Sequence, residues 1–271
     1  MSPDTRDPLL DPAAPRILDR LRLDGRRALI TGAGQGIGRA FAHALAEAGA
    51  HVAVIDLDRE RAETVADELR AKGAEALALG ADVSDDGAAE GYVGAVLDAW
   101  GGLEIAVNNA GVNRNSAAED TTTGEWDEVF ALNTRAVFLG CQAEARMMLR
   151  AGYGKIVNTA SMASLIVPHP QKQAAYNSAK AAVVQLTRTL AAEWADRGVR
   201  VNCMSPGIIR TALIEQSPAL RPLVEEWLTQ IPLGRLGEVT DLQAGIVYLA
   251  SGASDYMTGH NLVIEGGQTL W

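Results

Sequence analysis

The chain has 271 residues, 48% hydrophobic and 21% charged, with a net charge of −10. That balance fits one soluble globular domain with a large core, and the acidity argues against a nucleic-acid or anionic-membrane partner. Two isolated cysteines (Cys141, Cys203) and four histidines without ligand spacing argue against a disulfide framework and a metal centre, and no apolar run approaches the roughly 18 residues of a membrane span.

Residues 1–22 are rich in Pro, Asp and Arg and lack the apolar core of a secretory signal. They are read as a flexible extension, with a short helix or arm over 17–23, and a cytoplasmic location is expected. Residues 28–30 are an apolar strand, followed by TGAGQGIG, Thr31 to Gly38. A helical pattern then runs to Gly49. A Gly-rich turn that opens a helix lets backbone approach a pyrophosphate, here at Gly32, Gly36 and Gly38. The next strand, 51–55, ends at Asp56, about 20 residues past the glycines, where a carboxylate meets the ribose 2′-hydroxyl of NAD and repels the 2′-phosphate of NADP. Gln35 brings no cation to the loop. Asp58 and Arg59 leave the preference open, since Arg59 can swing toward a phosphate. A plain strand-end carboxylate is the competing reading of Asp56.

Further strands are read at 76–81, 103–108, 155–159, 199–204 and 261–264, with helices between them. Such alternation predicts a parallel sheet covered on both faces. The fold class is α/β: a doubly wound, Rossmann-type, seven-stranded sheet in the order 3-2-1-4-5-6-7, filling one domain over 23–271. Within the helical stretch AAYNSAKAAVVQ, Tyr176 and Lys180 lie four residues apart and share a face. Free tyrosine titrates near ~10. A cation held beside it in a dry site would lower that by roughly three units, which predicts a proton carrier tuned toward neutral pH. Two solvated surface residues are the alternative.

These segments together resemble the short-chain dehydrogenase/reductase family from about Leu23 to the C-terminus. TGAGQGIG is similar to its cofactor loop, ADV (Ala81 to Val83) to its adenine contact, NNAG (Asn108 to Gly111) to its central-sheet segment, and PGIIRT (Pro206 to Thr211) to its nicotinamide loop. Asn133, Ser161, Tyr176 and Lys180 match its catalytic set. The resemblance implies that Tyr176 moves the proton, Lys180 lowers its pKa and holds the ribose, Ser161 holds the substrate oxygen and Asn133 positions a water. It implies cofactor contacts from Gly32, Gln35, Gly36, Ile37, Gly38, Asp56 and Leu57, from Asp82 and Val83, from Asn109, Ala110 and Gly111, from Tyr176 and Lys180, and from Pro206, Gly207, Ile209 and Thr211. A turn residue at Ser161 and a helix-bending core amide at Asn133 are the competing readings. Two features depart from the pattern: Ala160 stands where Ser is common, and the interval from Ser161 to Tyr176 is longer than usual.

The substrate segments are expected at 162–174 and 208–233, with Ser161, Ala163, His169, Gln171, Tyr176, Gly207 and Ile208 as contacts and Asn113 and Arg114 reaching the same crevice. Several hydrogen-bonding groups suit a polyhydroxylated substrate. The segment around Tyr176 and the ending EGGQTLW are similar to members acting on sugar alcohols and ketoses. The expectation is an NAD-dependent polyol dehydrogenase assembled as a homotetramer, with interfaces on helices 126–150 and 174–194 and on the last strand, and with Trp271 against a neighbouring subunit. The alternatives are an NADPH-dependent 3-oxoacyl-carrier-protein reductase or general carbonyl reductase, and a non-catalytic NAD sensor.

Overall fold

Seven apolar runs become seven strands, the inner five largely buried on both faces and the edge strands half-buried: Arg27–Thr31 (β1), His51–Asp56 (β2), Ala76–Gly80 (β3), Ile105–Asn108 (β4), Gly154–Thr159 (β5), Val199–Pro206 (β6) and Asn261–Ile264 (β7). A computed structural model describes residues 13–211, 214 and 221–270. The first twelve residues, most of 212–220 and Trp271 lie outside the described residues, and with them part of the expected extension and of the 208–233 segment. The sheet order is β3-β2-β1-β4-β5-β6-β7, all pairs parallel, as the alternation predicts.

Nine helices among the described residues surround it. They are Ile17–Arg20 (α1), Gly36–Glu47 (α2), Arg59–Ala71 (α3), Ala88–Trp100 (α4), Thr123–Phe130 (α5), Ala136–Ala151 (α6), Ala174–Trp194 (α7), Arg221–Gln230 (α8) and Gln243–Ala250 (α9). One core, on the α2 and α9 side, gathers Phe41, Leu45, Val52, Val54, Ile105 and Ile246. The other, beneath α4, α6 and α7, gathers Leu29, Ile55, Tyr92, Ile156, Val183 and Trp194. Each such side chain contributes roughly 1.5–3 kcal/mol on burial, more than any helix or strand propensity, so the patterning fixes the layers. Among the described residues no helix is long and apolar enough to cross a membrane.

The sequence suggests one helix over 126–150, but two form, joined by a wide turn of π-helix at Ala131–Arg135. Asn133 lies in this turn, where its Nδ2 donates to Val129 O at 3.0 Å within the same helical stretch and to Val112 O at 2.8 Å outside it. Side-chain bonds of this kind accompany bends in helices.

Under the sheet lies a buried polar network. Asn108 Nδ2 donates to Glu144 Oε2 and Asn158 Oδ1, both at 3.1 Å, and Asn158 Nδ2 donates to Thr187 Oγ1 at 3.0 Å. It ties β4 and β5 to α6 and α7. Burial pushes the Glu144 carboxyl up to about 8, against the smaller opposing pull of Asn108. The folded chain thus keeps a proton that the unfolded chain releases near 4.5, so Glu144 withdraws stability as pH climbs from there to about 8. Glu144→Gln removes that dependence. In melts from pH 5 to 9, the stability of the variant relative to the parent is expected to rise by up to about 1.4 kcal/mol per pH unit across that window and then level off. A difference that stays flat with pH would show that Glu144 is ionised in the fold.

Candidate active site

The C-terminal ends of β1 and β4 are locked to each other by side chains. Thr31 Oγ1 accepts the backbone N–H of Asn109 at 3.0 Å and of Ala110 at 3.1 Å. Asn109 Nδ2 donates to Thr31 O and Gly32 O, both at 3.1 Å, and its Oδ1 accepts from Thr159 Oγ1 at 3.3 Å. Two glycines permit this approach. A Cβ on Gly38 would overlap Gly32 O and stand 2.6 Å from Asn109 Nδ2. Gly32 has φ +63° and passes so near β4 that a Cβ would stand 2.8 Å from Ala110 Cα. The result is a smooth backbone cradle at the start of α2, where unpaired N–H groups and the helix dipole favour a phosphate. These residues fit a dinucleotide.

Two adjoining hollows run from this cradle. The larger, about 740 Å³, is lined by Gly32, Gln35, Asp56, Leu57, Asp82, Val83, Asn109, Ala110 and Gly111 among others. Asp56 Oδ2 accepts from Gly34 N at 2.8 Å, so the carboxylate braces the loop as well as facing the cleft. Asp82 Oδ1 accepts from Ser84 N at 2.9 Å and Ser84 Oγ at 2.7 Å. Beside Asp56 the basic residue is Arg61, held at 3.2 Å by Asp58, and not Arg59, whose side chain packs over Gly80.

The smaller hollow, about 380 Å³, is lined by Gln35, Gly36, Ile37, Gly38, Asn109, Gly111, Asn133, Ser161, Tyr176, Lys180, Pro206, Gly207 and Thr211, and by Val112, Asn113, Thr159 and Ala160. Ser161, two residues past β5, accepts Ala163 N at 3.2 Å, and its hydroxyl pulls the pKa of the Tyr176 phenol down. Lys180, only 3% exposed, donates from Nζ to Thr159 O at 2.8 Å. Asn133 spends its amide on Val112 and Val129 and faces Gly111.

The electrostatics correct one expectation. Tyr176 is raised above its ordinary value, chiefly by loss of water, with the Ser161 hydrogen bond pulling the other way. Lys180 is itself lowered to about 8 by burial. Its Nζ lies 5.7 Å from the centre of the Tyr176 ring and bonds a backbone carbonyl. In this geometry desolvation is the dominant influence on the phenol.

Several expected residues stand elsewhere. Ile209 and Ile208 line a separate hollow of about 150 Å³ behind Gly207. Ala163 is packed into the interior. The His169 side chain is 75% exposed and pairs with Glu226 at 3.4 Å. Gln171 is taken up by α8, where its Oε1 accepts the indole N–H of Trp227 at 3.0 Å. Arg114 turns from the smaller hollow to the larger one and pairs with Glu128. The sequence reading missed Arg61, Val112, Thr159 and the bracing role of Thr31. Arg61, three residues past the helix-capping Asp58, was the one with a signal to find.

Fold and cleft define an oxidoreductase of the dinucleotide-binding α/β class. A family model described as enoyl-(acyl carrier protein) reductase matches residues 32–269. Galactitol 2-dehydrogenase (L-tagatose-forming) of Cereibacter sphaeroides is 41% identical over 92% of this chain and 97% of its own. The 3-oxoacyl-[acyl-carrier-protein] reductase of Staphylococcus aureus is 39% identical over 90% and 98%. The crystal structure of a gluconate 5-dehydrogenase from Burkholderia cenocepacia in complex with NADP and tartrate superposes with TM-score 0.86 at 36% identity, covering 94% of this chain and 100% of that one. The chain belongs to the short-chain dehydrogenase/reductase family, whose members are NAD(P)-dependent oxidoreductases acting on CH–OH groups.

Gly38→Ala tests the cradle. The added methyl is expected to weaken NAD binding at least ~10-fold and to cost about 1–3 kcal/mol in thermal melts, as overpacking does. Unchanged affinity in a fluorescence titration would mean that the cradle does not hold the dinucleotide.

Proposed function

We propose that this chain is an NAD-dependent dehydrogenase that interconverts a secondary alcohol of a polyhydroxylated substrate with the corresponding ketone. The observation that carries this reading is the gathering of Ser161, Tyr176, Lys180 and Asn133 on one hollow that adjoins the glycine cradle. The similarity to a galactitol dehydrogenase supports the substrate class.

In this reading the substrate oxygen lies against Ser161 Oγ and the Tyr176 phenol. Tyr176 gives its proton to the ketone oxygen during reduction and takes the hydroxyl proton during oxidation. Its raised pKa favours the protonated phenol, the form that donates during reduction, while oxidation requires the phenolate. Ser161 stabilises charge developing on the oxygen. Lys180 gains or loses its proton near pH 8, so below that it offers the site a positive charge that favours the phenolate. Asn133 holds the 112 backbone and so shapes the hollow. The bound nicotinamide supplies or accepts the hydride.

For the cofactor we read NAD. Asp56 at the end of β2 disfavours a second phosphate on the ribose, and the Arg61 cation on that wall is already engaged by Asp58. A 3-oxoacyl thioester with NADPH is the second reading, favoured by the S. aureus relative and by the description of the matching family. The same proposal has the chain assembling as a homotetramer. The half-exposed Trp126 and Phe138 on α5 and α6 support contacts there.

Tyr176→Phe is expected to lower kcat about 10²–10⁴-fold while NAD still binds, as loss of a general acid–base does. Near-parental turnover would reject this mechanism. Wild-type enzyme is expected to use NAD at least ~10-fold better than NADP in kcat/KM, and Asp56→Ala to narrow that ratio by a similar factor, about the worth of one charge contact. A parental preference for NADP would favour the thioester reading.

A further inference from the structure

The substrate side of the hollow carries a chain of three amides that the proton-transfer chemistry does not use. Asn113 Nδ2 donates to Gln173 Oε1 at 3.1 Å, and Gln173 Nε2 donates to Asn177 Oδ1 at 2.8 Å. Gln173 is 5% exposed, and both ends of its amide are committed. Asn113 thus turns its N–H to Gln173, its Oδ1 has no hydrogen bond among the described residues, and the residue lines the hollow that also holds Ser161 and Tyr176.

The backbone that carries Asn113 is also fixed. The preceding residue, Val112, is gripped at both its N–H and its carbonyl by Asn133, at 3.3 and 2.8 Å. Beyond it, Ser116 N donates to Lys172 O at 2.8 Å, zipping this loop to the lead-in of α7. The first turn of α7 thus carries both Tyr176 and the amide partner Asn177. A polar group immobilised in this way binds without having to order a side chain, which is the condition under which one hydrogen bond discriminates between substrates.

The geometry points to Asn113 as the residue that recognises a second hydroxyl of the substrate, next to the carbon being oxidised, through its fixed amide oxygen, with Gln173 as the positioning residue behind it. An acceptor oxygen suits a hydroxyl, which donates. It does not suit the thioester carbonyl of an acyl chain, which only accepts. This inference rests on the polyol reading and narrows it to vicinal hydroxyls.

The test uses 1,2-pentanediol and 2-pentanol, which differ by the one hydroxyl, with NAD as oxidant and initial rates of NADH formation as readout. Wild-type enzyme is expected to prefer the diol in kcat/KM. Asn113→Leu is expected to reduce the diol-to-alcohol ratio about 2- to 10-fold, the worth of one hydrogen bond at a cleft open to solvent. Gln173→Leu is expected to reduce it by less, and Asn113→Asp, which keeps an acceptor, to retain most of it. NAD affinity measured in parallel reports whether each variant is folded. If the Asn113→Leu variant binds NAD and keeps the parental ratio, the inference is overturned and the polyol reading stands. If wild-type enzyme oxidises neither compound, nor galactitol, the polyol reading itself fails and the inference with it.

Discussion

The structure depends on how closely two strand ends can approach each other. Thr31 and Asn109 exchange hydrogen bonds across the gap between β1 and β4, and Gly38 leaves room for the carbonyl of Gly32 to lie against them. This interlock holds the turn before α2 open as a cradle. Because Asn109 also receives the hydroxyl of Thr159, it fixes the end of β5 in the same act. Ser161 follows two residues later. The nucleotide half and the chemical half of the cleft are therefore parts of one hydrogen-bonded joint.

Within that joint, removal of water does more than the arrangement of charge. Lys180 bonds Thr159 O and loses basicity, Tyr176 gains proton affinity, and Asn133 satisfies backbone within a wide turn of helix. Glu144 follows the same rule one layer deeper, where a carboxyl between Asn108 and α6 is held neutral by its surroundings. The family resemblance names Lys180, Tyr176 and Asn133, and not Glu144. Their proton affinities come from the packing around them.

Period and spacing were enough to read the strands, because largely buried strands leave continuous apolar runs, and their order was extended from the dinucleotide-binding plan. The glycine loop and the Tyr176–Lys180 pair were legible for the same reason, since each lies within one or two turns of chain. The substrate wall was less so. His169, Gln171 and Ala163 were placed in the hollow by their position in a long loop, yet where a loop side chain points depends on what packs against it, and α8 draws Gln171 away. Arg59 and Arg61 differ by two positions on a helix, which turns them to different faces. The Tyr176 shift is read from the sequence as downward and stands upward in the structure, because spacing carries no information about solvent access.

The tether between α8 and the 169–171 loop has a mechanical corollary. Trp227, 3% exposed, holds Gln171, and Gln230 Nε2 donates to His169 O at 3.1 Å. That loop runs directly into the first turn of α7. If α8 moves, either both bonds break or the lead-in to α7 moves with it. The position of α8 and the start of α7 are coupled through two side-chain fastenings.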